Sequence, residues 1–339
     1  MHSEINRYSR QILFYGIGQA GQSKLSGSFV VIVGCGALGT IIATTLVRAG
    51  IGRIRIIDRD FLEYHNLQRQ VIFDEDDVRN QLPKAVAAER HLRKVNSMVE
   101  VEGVVADINY TNVERFIYGA DLILDGLDNF ETRCLVNDAC LKHRIPWIYG
   151  GAISSYGMTM NVIPGQTPCF RCLHPNVLYR VMLPTCDTEG VIGPAPFIVG
   201  SLQSAEAMKI LVGADNINQG LISIDAWEGR FTRFRISSRA DCPACQGKYE
   251  FLEAKFGTRT TSLCGQNAIQ VLNPEVKELS LSELATKLKP VGEVSYNQFL
   301  LRFRVDDYEM VVFPDGRAII KNTNDESLAR GLYAKYIGV

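Results

Sequence analysis

The stretch Phe29–Asp58 constrains this chain more than any other. It opens on the β-branched run Phe29–Val33 and turns through Gly34-Cys35-Gly36-Ala37-Leu38-Gly39. An apolar, helix-length segment then runs to Gly50, and Arg53–Asp58 closes the stretch as a second β-branched run. Strand, glycine turn, helix, strand and terminal acid, in that order, make a nucleotide-binding βαβ unit. Gly34 allows the turn, Gly36 lets backbone approach a phosphate, and Gly39 lets the helix pack on the strand. The helix N-terminus offers its first N–H groups to an anion. Asp58, 19 residues after Gly39, stands where an acid accepts hydrogen bonds from ribose hydroxyls. The motif does not say which nucleotide binds.

The same region mimics a membrane span, because Lys24 and Arg48 are separated by 23 uncharged residues. A spanning helix needs about 20 apolar residues. Gly27, Gly34, Gly36 and Gly39, with five interspersed serines and threonines, argue instead for a buried parallel strand followed by a buried helix. The first ten residues are polar and charged, so no signal peptide is expected. Nine cysteines, an odd number, fit a reducing cytoplasm better than a disulfide framework. A net charge of −1 supports neither a nucleic-acid nor a membrane surface. At 339 residues the chain exceeds the roughly 250–300 at which one core stops growing, so two domains are expected.

Alternating strand and helix signals continue to about residue 250. Arg7–Gly27 reads as a helical lead-in with a turn at Gly16 and Gly18, and Asn66–Gln70 as a polar loop. Ala85–Val95 reads as a helix with Pro83 in its first turn, Val99–Val105 as a strand and Asn112–Tyr118 as a short helix. Ala120–Asp125 is a buried strand before the helix Phe130–His143. Ile145–Tyr149 is a strand closed by Gly150-Gly151, and Tyr156–Ile163 is another. A long loop with little periodicity follows Pro168. Then come the helix Gly193–Val212 and the strands Leu221–Asp225 and Arg230–Ile236. This alternation predicts a Rossmann-like, doubly wound, mostly parallel α/β sheet that binds ligands at the carboxyl ends of its strands. The nucleotide-binding domain is expected over 1–250 and a linker over 251–261. A small α+β domain is expected over 262–339, with Leu263–Val271 as one strand, a helix Leu281–Leu288, a hairpin around Asp306-Asp307 and a final helix Asp325–Tyr336.

Three features carry chemistry. Cys169-x-x-Cys172 and Cys242-x-x-Cys245 lie 69 residues apart. Unrelated turns or a redox motif are the alternatives. No thioredoxin-like pattern surrounds either pair, which favours a closed four-thiolate structural zinc site. Asp58, Arg69, Lys84 and Asp128 fall on loops at one sheet edge. Arg69 and Lys84 can neutralise phosphates, and Asp128 can hold Mg²⁺. Lys84 near a helix N-terminus opposes the macrodipole, which a ligand anion would relieve. A dinucleotide dehydrogenase needs no Mg²⁺ ligand, so this set favours ATP over the rival reading, an NAD-dependent oxidoreductase. Cys186, between Thr185 and Asp187, is a candidate nucleophile or a spare thiol.

Together with Arg7-Tyr8-Ser9-Arg10-Gln11, Asn66-Leu67-Gln68-Arg69-Gln70, Leu82-Pro83-Lys84, Asp128-Asn129, Arg133 and Thr185-Cys186, these motifs resemble the ThiF/MoeB/HesA family over about residues 5–250. That family is the bacterial branch of the ubiquitin-activating-enzyme superfamily. The tail resembles the C-terminal extension of some bacterial ThiF-like members through Leu263-Cys264-Gly265 and Phe313–Arg317.

The resemblance implies a reaction. The C-terminal Gly-Gly carboxylate of a β-grasp sulfur-carrier protein attacks the α-phosphate of ATP, giving an acyl-adenylate and pyrophosphate, in thiamine or molybdopterin biosynthesis. It implies that the turn (Gly34, Gly36, Ala37, Gly39) and Asp58 hold the nucleotide and that Asn66, Arg69 and Lys84 bind phosphates. Asp128 would hold Mg²⁺, with Asn129 and Arg133 completing the motif. It also implies a homodimer in which Arg10 reaches the neighbour's ATP. Cys186 matches a cysteine that forms a thioester or acyl-persulfide in some members. No rhodanese-like domain follows, so sulfur would come from a separate donor such as a cysteine desulfurase.

Overall fold

The computed structural model describes residues 7–175, 189–255, 260–263, 267–272 and 279–337. The chain divides into two compact units, Met1–Phe256 and Gly257–Val339.

In the first unit, helices α1 (Ser9–Ile12) and α2 (Gly18–Gly27) precede β1 (Phe29–Val33), α3 (Ala37–Ala49) and β2 (Arg53–Asp58). Val30 to Val33 are buried, as expected of a strand covered on both faces. Helix α3 ends where Gly50 takes a left-handed conformation, φ +80°, beneath the ring of Tyr8. The 23 uncharged residues are thus a strand and a 13-residue helix. Among the described residues no helix is long and apolar enough to cross a membrane.

Next come α4 (Glu75–Arg79), α5 (Lys84–Val95), β3 (Glu100–Val105), α6 (Val113–Ile117), β4 (Leu122–Asp125) and α7 (Phe130–His143). Asn129 caps α7 by accepting a hydrogen bond from the Thr132 amide at 2.9 Å. After β5 (Trp147–Ile153) and β6 (Tyr156–Val162) come α8 (Phe170–Leu173), α9 (Pro194–Val212), β7 (Leu221–Asp225) and β8 (Arg230–Phe234). Pro194 opens α9, where its missing N–H costs nothing.

The strands form one sheet in the order β3-β2-β1-β4-β5-β6-β7-β8. Pairing is parallel from β3 to β5 and antiparallel from β5 to β8. Chain order reverses on either side of β1, so β1 and β4 flank the switch point where such sheets bind ligands. One core, built around Trp147 and Phe170, joins β1, β4 and β5 to α7 and takes in Phe251 and Leu252.

Several local expectations change. Strand β5 continues through Gly150-Gly151 to Ile153, because its antiparallel partner β6 matches it residue for residue as far as Ile153↔Tyr156. Pro83 is the cap before α5, which leaves Lys84 as its first residue. Helix α4 has no apolar periodicity. It rests on reciprocal caps between the Asp74 and Asp77 side chains and backbone amides.

The second unit is an antiparallel sheet in the order β11-β12-β13-β14-β10-β9. Its strands are β9 (Thr260–Leu263), β10 (Ala268–Val271), β11 (Glu293–Tyr296), β12 (Leu301–Val305), β13 (Tyr308–Val312) and β14 (Ala318–Lys321). Helices α10 (Leu281–Leu288) and α11 (Glu326–Tyr336) pack on one face around Phe303 and Met310. Leu263–Val271, expected as one strand, is a hairpin pairing Leu263 with Ala268. Fully buried Arg317 places its guanidinium 3.7 Å from the ring centre of Phe313.

Candidate functional site

The glycine turn is built as its spacing requires. Gly34 has φ +94°, open to glycine at little strain, and a side chain there would strike the Gly126 carbonyl at 2.4 Å. A side chain on Gly39 would strike the Gly34 carbonyl at 2.0 Å. The loop after β1 and the loop after β4 therefore touch backbone to backbone across the switch point. Gly36 differs: a β-carbon there would find its nearest neighbours at 3.9 and 4.0 Å. The space before Gly36, where α3 begins without a side-chain cap, is open.

Asp58 closes the turn from below. Its carboxylate accepts hydrogen bonds from the Cys35 amide at 2.6 Å and the Asp60 amide at 2.7 Å. Burial pushes this acid up, while Lys84 pulls the other way. Lys84 Nζ donates to Asp60 Oδ2 at 3.0 Å and is almost wholly buried. Burial alone would lower it, but Asp60, Asp58 and Asp128 outweigh burial and hold the ammonium well above the usual lysine range. The charge at the start of α5 is thus compensated by Asp60, an acid two residues past Asp58 that sequence reasoning passed over. The Asp58-x-Asp60 spacing was the available signal.

Two more ion pairs line this edge. Arg59 donates to Asp107 at 2.9 Å, and Asp107 together with Asp60 and Asp128 holds it charged despite burial. Arg133 donates from Nε to Asp125 Oδ2 at 2.9 Å. Its Nη2 donates to the Leu127 carbonyl at 2.5 Å and the Gly150 carbonyl at 2.9 Å. Expected among nucleotide-binding residues, Arg133 makes three hydrogen bonds that brace the loop carrying Asp128. Burial pushes Asp125 up and Arg133 opposes that rise. Asp128 itself is exposed and takes one weak bond, 3.3 Å, from Asn129. Its field reaches Lys84, Arg59 and Arg133, so it shares one neighbourhood with them.

The remaining candidates lie at varied distances from this centre. Asn66 is buried in a short turn and accepts a hydrogen bond from the Glu63 amide at 3.0 Å. Arg69 is half-buried and donates to the His65 carbonyl at 2.9 Å. Arg10 is exposed and makes no hydrogen bond or ion pair with the described residues, although its helix is firmly docked. Gln11 donates to Gln22 at 2.6 Å and to the Ala49 carbonyl at 2.9 Å, and Asn96 donates to the Tyr8 hydroxyl at 2.8 Å. Cys186 lies outside the described residues.

The four cysteines converge. Cys169, Cys172, Cys242 and Cys245 place their sulfurs within 4.8 Å of one another, with closest separations of 3.4 to 3.8 Å. A tetrahedron with metal–sulfur bonds of about 2.3 Å has edges of roughly 3.8 Å. Helix α8 presents the first pair and the turn after β8 the second. All four thiols are free of disulfides, so the donor set fits zinc.

Comparison with known proteins agrees with this geometry. Residues 8–244 match the ThiF family. The chain is 45% identical over 336 residues to the sulfur carrier protein ThiS adenylyltransferase of Bacillus subtilis, covering 98% of this chain and 99% of that one. It is 38% identical to the SAMP-activating enzyme E1 of Haloferax volcanii over 72% of this chain and 89% of that one. Among solved structures, E. coli MccB with ATP superposes with a TM-score of 0.62 at 28% identity, covering 71% of this chain and 74% of that one.

Proposed function

The chain belongs to the ThiF family, and from that membership we propose that it adenylates the C-terminal carboxylate of a sulfur-carrier protein at the expense of ATP. The observation that carries this is the crevice at the switch point. There the open Gly36 turn, the buried Lys84 with Asp58 and Asp60, and the exposed Asp128 meet. Asp58 sits where the ribose hydroxyls would lie, and the first N–H groups of α3 face the phosphates. Lys84 supplies fixed positive charge at the phosphates, with Arg69 and Asn66 on the neighbouring turn.

Asp128 would hold Mg²⁺, which would supply positive charge against the phosphates. A carboxylate oxygen of the carrier forms a bond to the α-phosphorus as the bond to the bridging oxygen of pyrophosphate breaks. No proton moves, so the site needs charge and alignment rather than a general base. The carrier is expected to be ubiquitin-like with a Gly-Gly end, serving thiamine or molybdopterin synthesis, with sulfur delivered by a separate donor such as a cysteine desulfurase.

A homodimer fits the lead-in segment. Leu13, Phe14 and Tyr15 are 74%, 53% and 93% exposed beside Arg10, an apolar set that a second copy would cover. Arg10 would then reach the partner's phosphates.

The test is ATP–pyrophosphate exchange with a Gly-Gly-ended carrier, alongside mass spectrometry of the carrier. Exchange should require the carrier, a mass gain of AMP should appear on it, and Asp128→Ala should abolish both. Exchange that persists without carrier, or in Asp128→Ala, would sink the reading.

A further inference from the structure

We infer that Gln70 is a nucleotide-contacting residue, an uncharged amide donor that closes the phosphate cradle opposite the N-terminus of α3. The inference rests on the adenylation reading above.

Gln70 is 3% exposed. Its backbone is fixed, with the amide donating to the Asn66 carbonyl at 3.0 Å and the carbonyl accepting from Phe73 at 3.3 Å. Its side chain is not fixed in the same way: Oε1 is buried without a hydrogen-bond partner. Nε2 lies 4.0 Å from the point a β-carbon on Gly36 would occupy, the same open space that α3 faces. Buried amides are as a rule satisfied by protein or ordered water. Nε2, which makes no hydrogen bond with any described residue, is the atom that faces the anion cradle, and a phosphate oxygen there would accept from it. An anion in that space would favour this orientation, because the carbonyl oxygen would repel it. Neighbouring Arg69 was singled out for its charge, whereas a neutral amide gives no such signal in sequence.

The chemistry asked of Gln70 is one charge-assisted hydrogen bond to a phosphate oxygen. Its absence is expected to lower kcat/KM for ATP about 10- to 100-fold. A packing role and a ligand role then separate on stability. Gln70→Met keeps the volume and removes the unsatisfied polar atom. Without ATP, the variant should unfold at the same temperature as the parent or higher. The rise in unfolding temperature on adding ATP and Mg²⁺ should shrink. In pyrophosphate exchange kcat/KM for ATP should fall at least tenfold with the carrier's KM unchanged. Gln70→Glu, which sets a carboxylate against the phosphates, should fall further.

Gln70→Met with kcat/KM within twofold of the parent and an undiminished ATP-induced rise would overturn the inference. So would a lowered unfolding temperature without ATP in both variants, which would assign Gln70 to packing. The parent protein's own exchange activity tests the adenylation reading separately, so the two failures are distinguishable.

Discussion

Lys84 and Asp128 are both charged groups of the same crevice, yet their removal should read out differently. Lys84 is buried against Asp60 and beside Asp58, so Lys84→Met leaves two carboxylates facing each other without a cation. We expect a loss of about 2–3 kcal/mol at neutral pH by denaturant unfolding, together with a loss of pyrophosphate exchange. Asp128 is exposed, and Asp128→Asn should abolish exchange with an unfolding temperature within about a degree of the parent. Asp138 gives a pH signature away from the site. It is buried on α7 with Oδ1 unpartnered, and burial pushes it up to about 6. A folded-state value above the unfolded one means a penalty that is absent below about pH 4 and complete above pH 6. Asp138→Asn should therefore stabilise the protein at pH 8, by on the order of 1–3 kcal/mol, and the gain should vanish near pH 4 in thermal melts. Asp58, Lys84 and Asp128 stood out in the sequence because each follows or closes a recognisable strand, turn or helix-start signal. Asp60 and Asp125 did not, since an acid that serves another residue looks like any surface charge until its partner is placed.

At the scale of elements, the glycine turn, β1, α3 and β2 were readable because strand and helix periodicities change at glycines. Helix α4 and the β9–β10 hairpin were not. The first depends on side-chain caps and buries little, and the second divides a run that looks continuously strand-like into two antiparallel strands. The cysteine pairs were visible at a distance, but only the antiparallel pairing of β6, β7 and β8, which aligns Met160, Leu221 and Phe234 and so ends β6 and β8 at one edge, explains how two turns so far apart in sequence meet. Helix α9 carries Gln203, whose Nε2 donates to the Asp125 carbonyl at 2.9 Å and the Ile148 carbonyl at 3.2 Å. That bond ties the segment between the cysteine pairs to the strands behind the crevice. Metal analysis should find one zinc per chain, and Cys242→Ser should lower the unfolding temperature and the zinc content together. Retention of full stability after exhaustive chelation would remove the staple role.

For the molecule as a whole, the proposed dimer makes a sharp prediction. Arg10→Ala and Asp128→Ala each inactivate a homodimer if Arg10 acts across the interface. Unfolding and refolding an equal mixture should restore exchange to about a quarter of the parent level, because half the dimers are mixed and each has one intact site. If Arg10 acts within its own chain, no activity returns.

The four-cysteine cluster has a further consequence for the whole chain. The four cysteines would hold a metal that links Cys172 to Cys242 and so closes a loop whose ends must otherwise find each other by diffusion. With zinc bound there, folding and metal occupancy would be one linked equilibrium, in which the folded population rises with the free zinc concentration. A cell short of zinc would hold fewer competent copies of this enzyme without any change in its synthesis, and the rate of carrier activation would follow the metal supply.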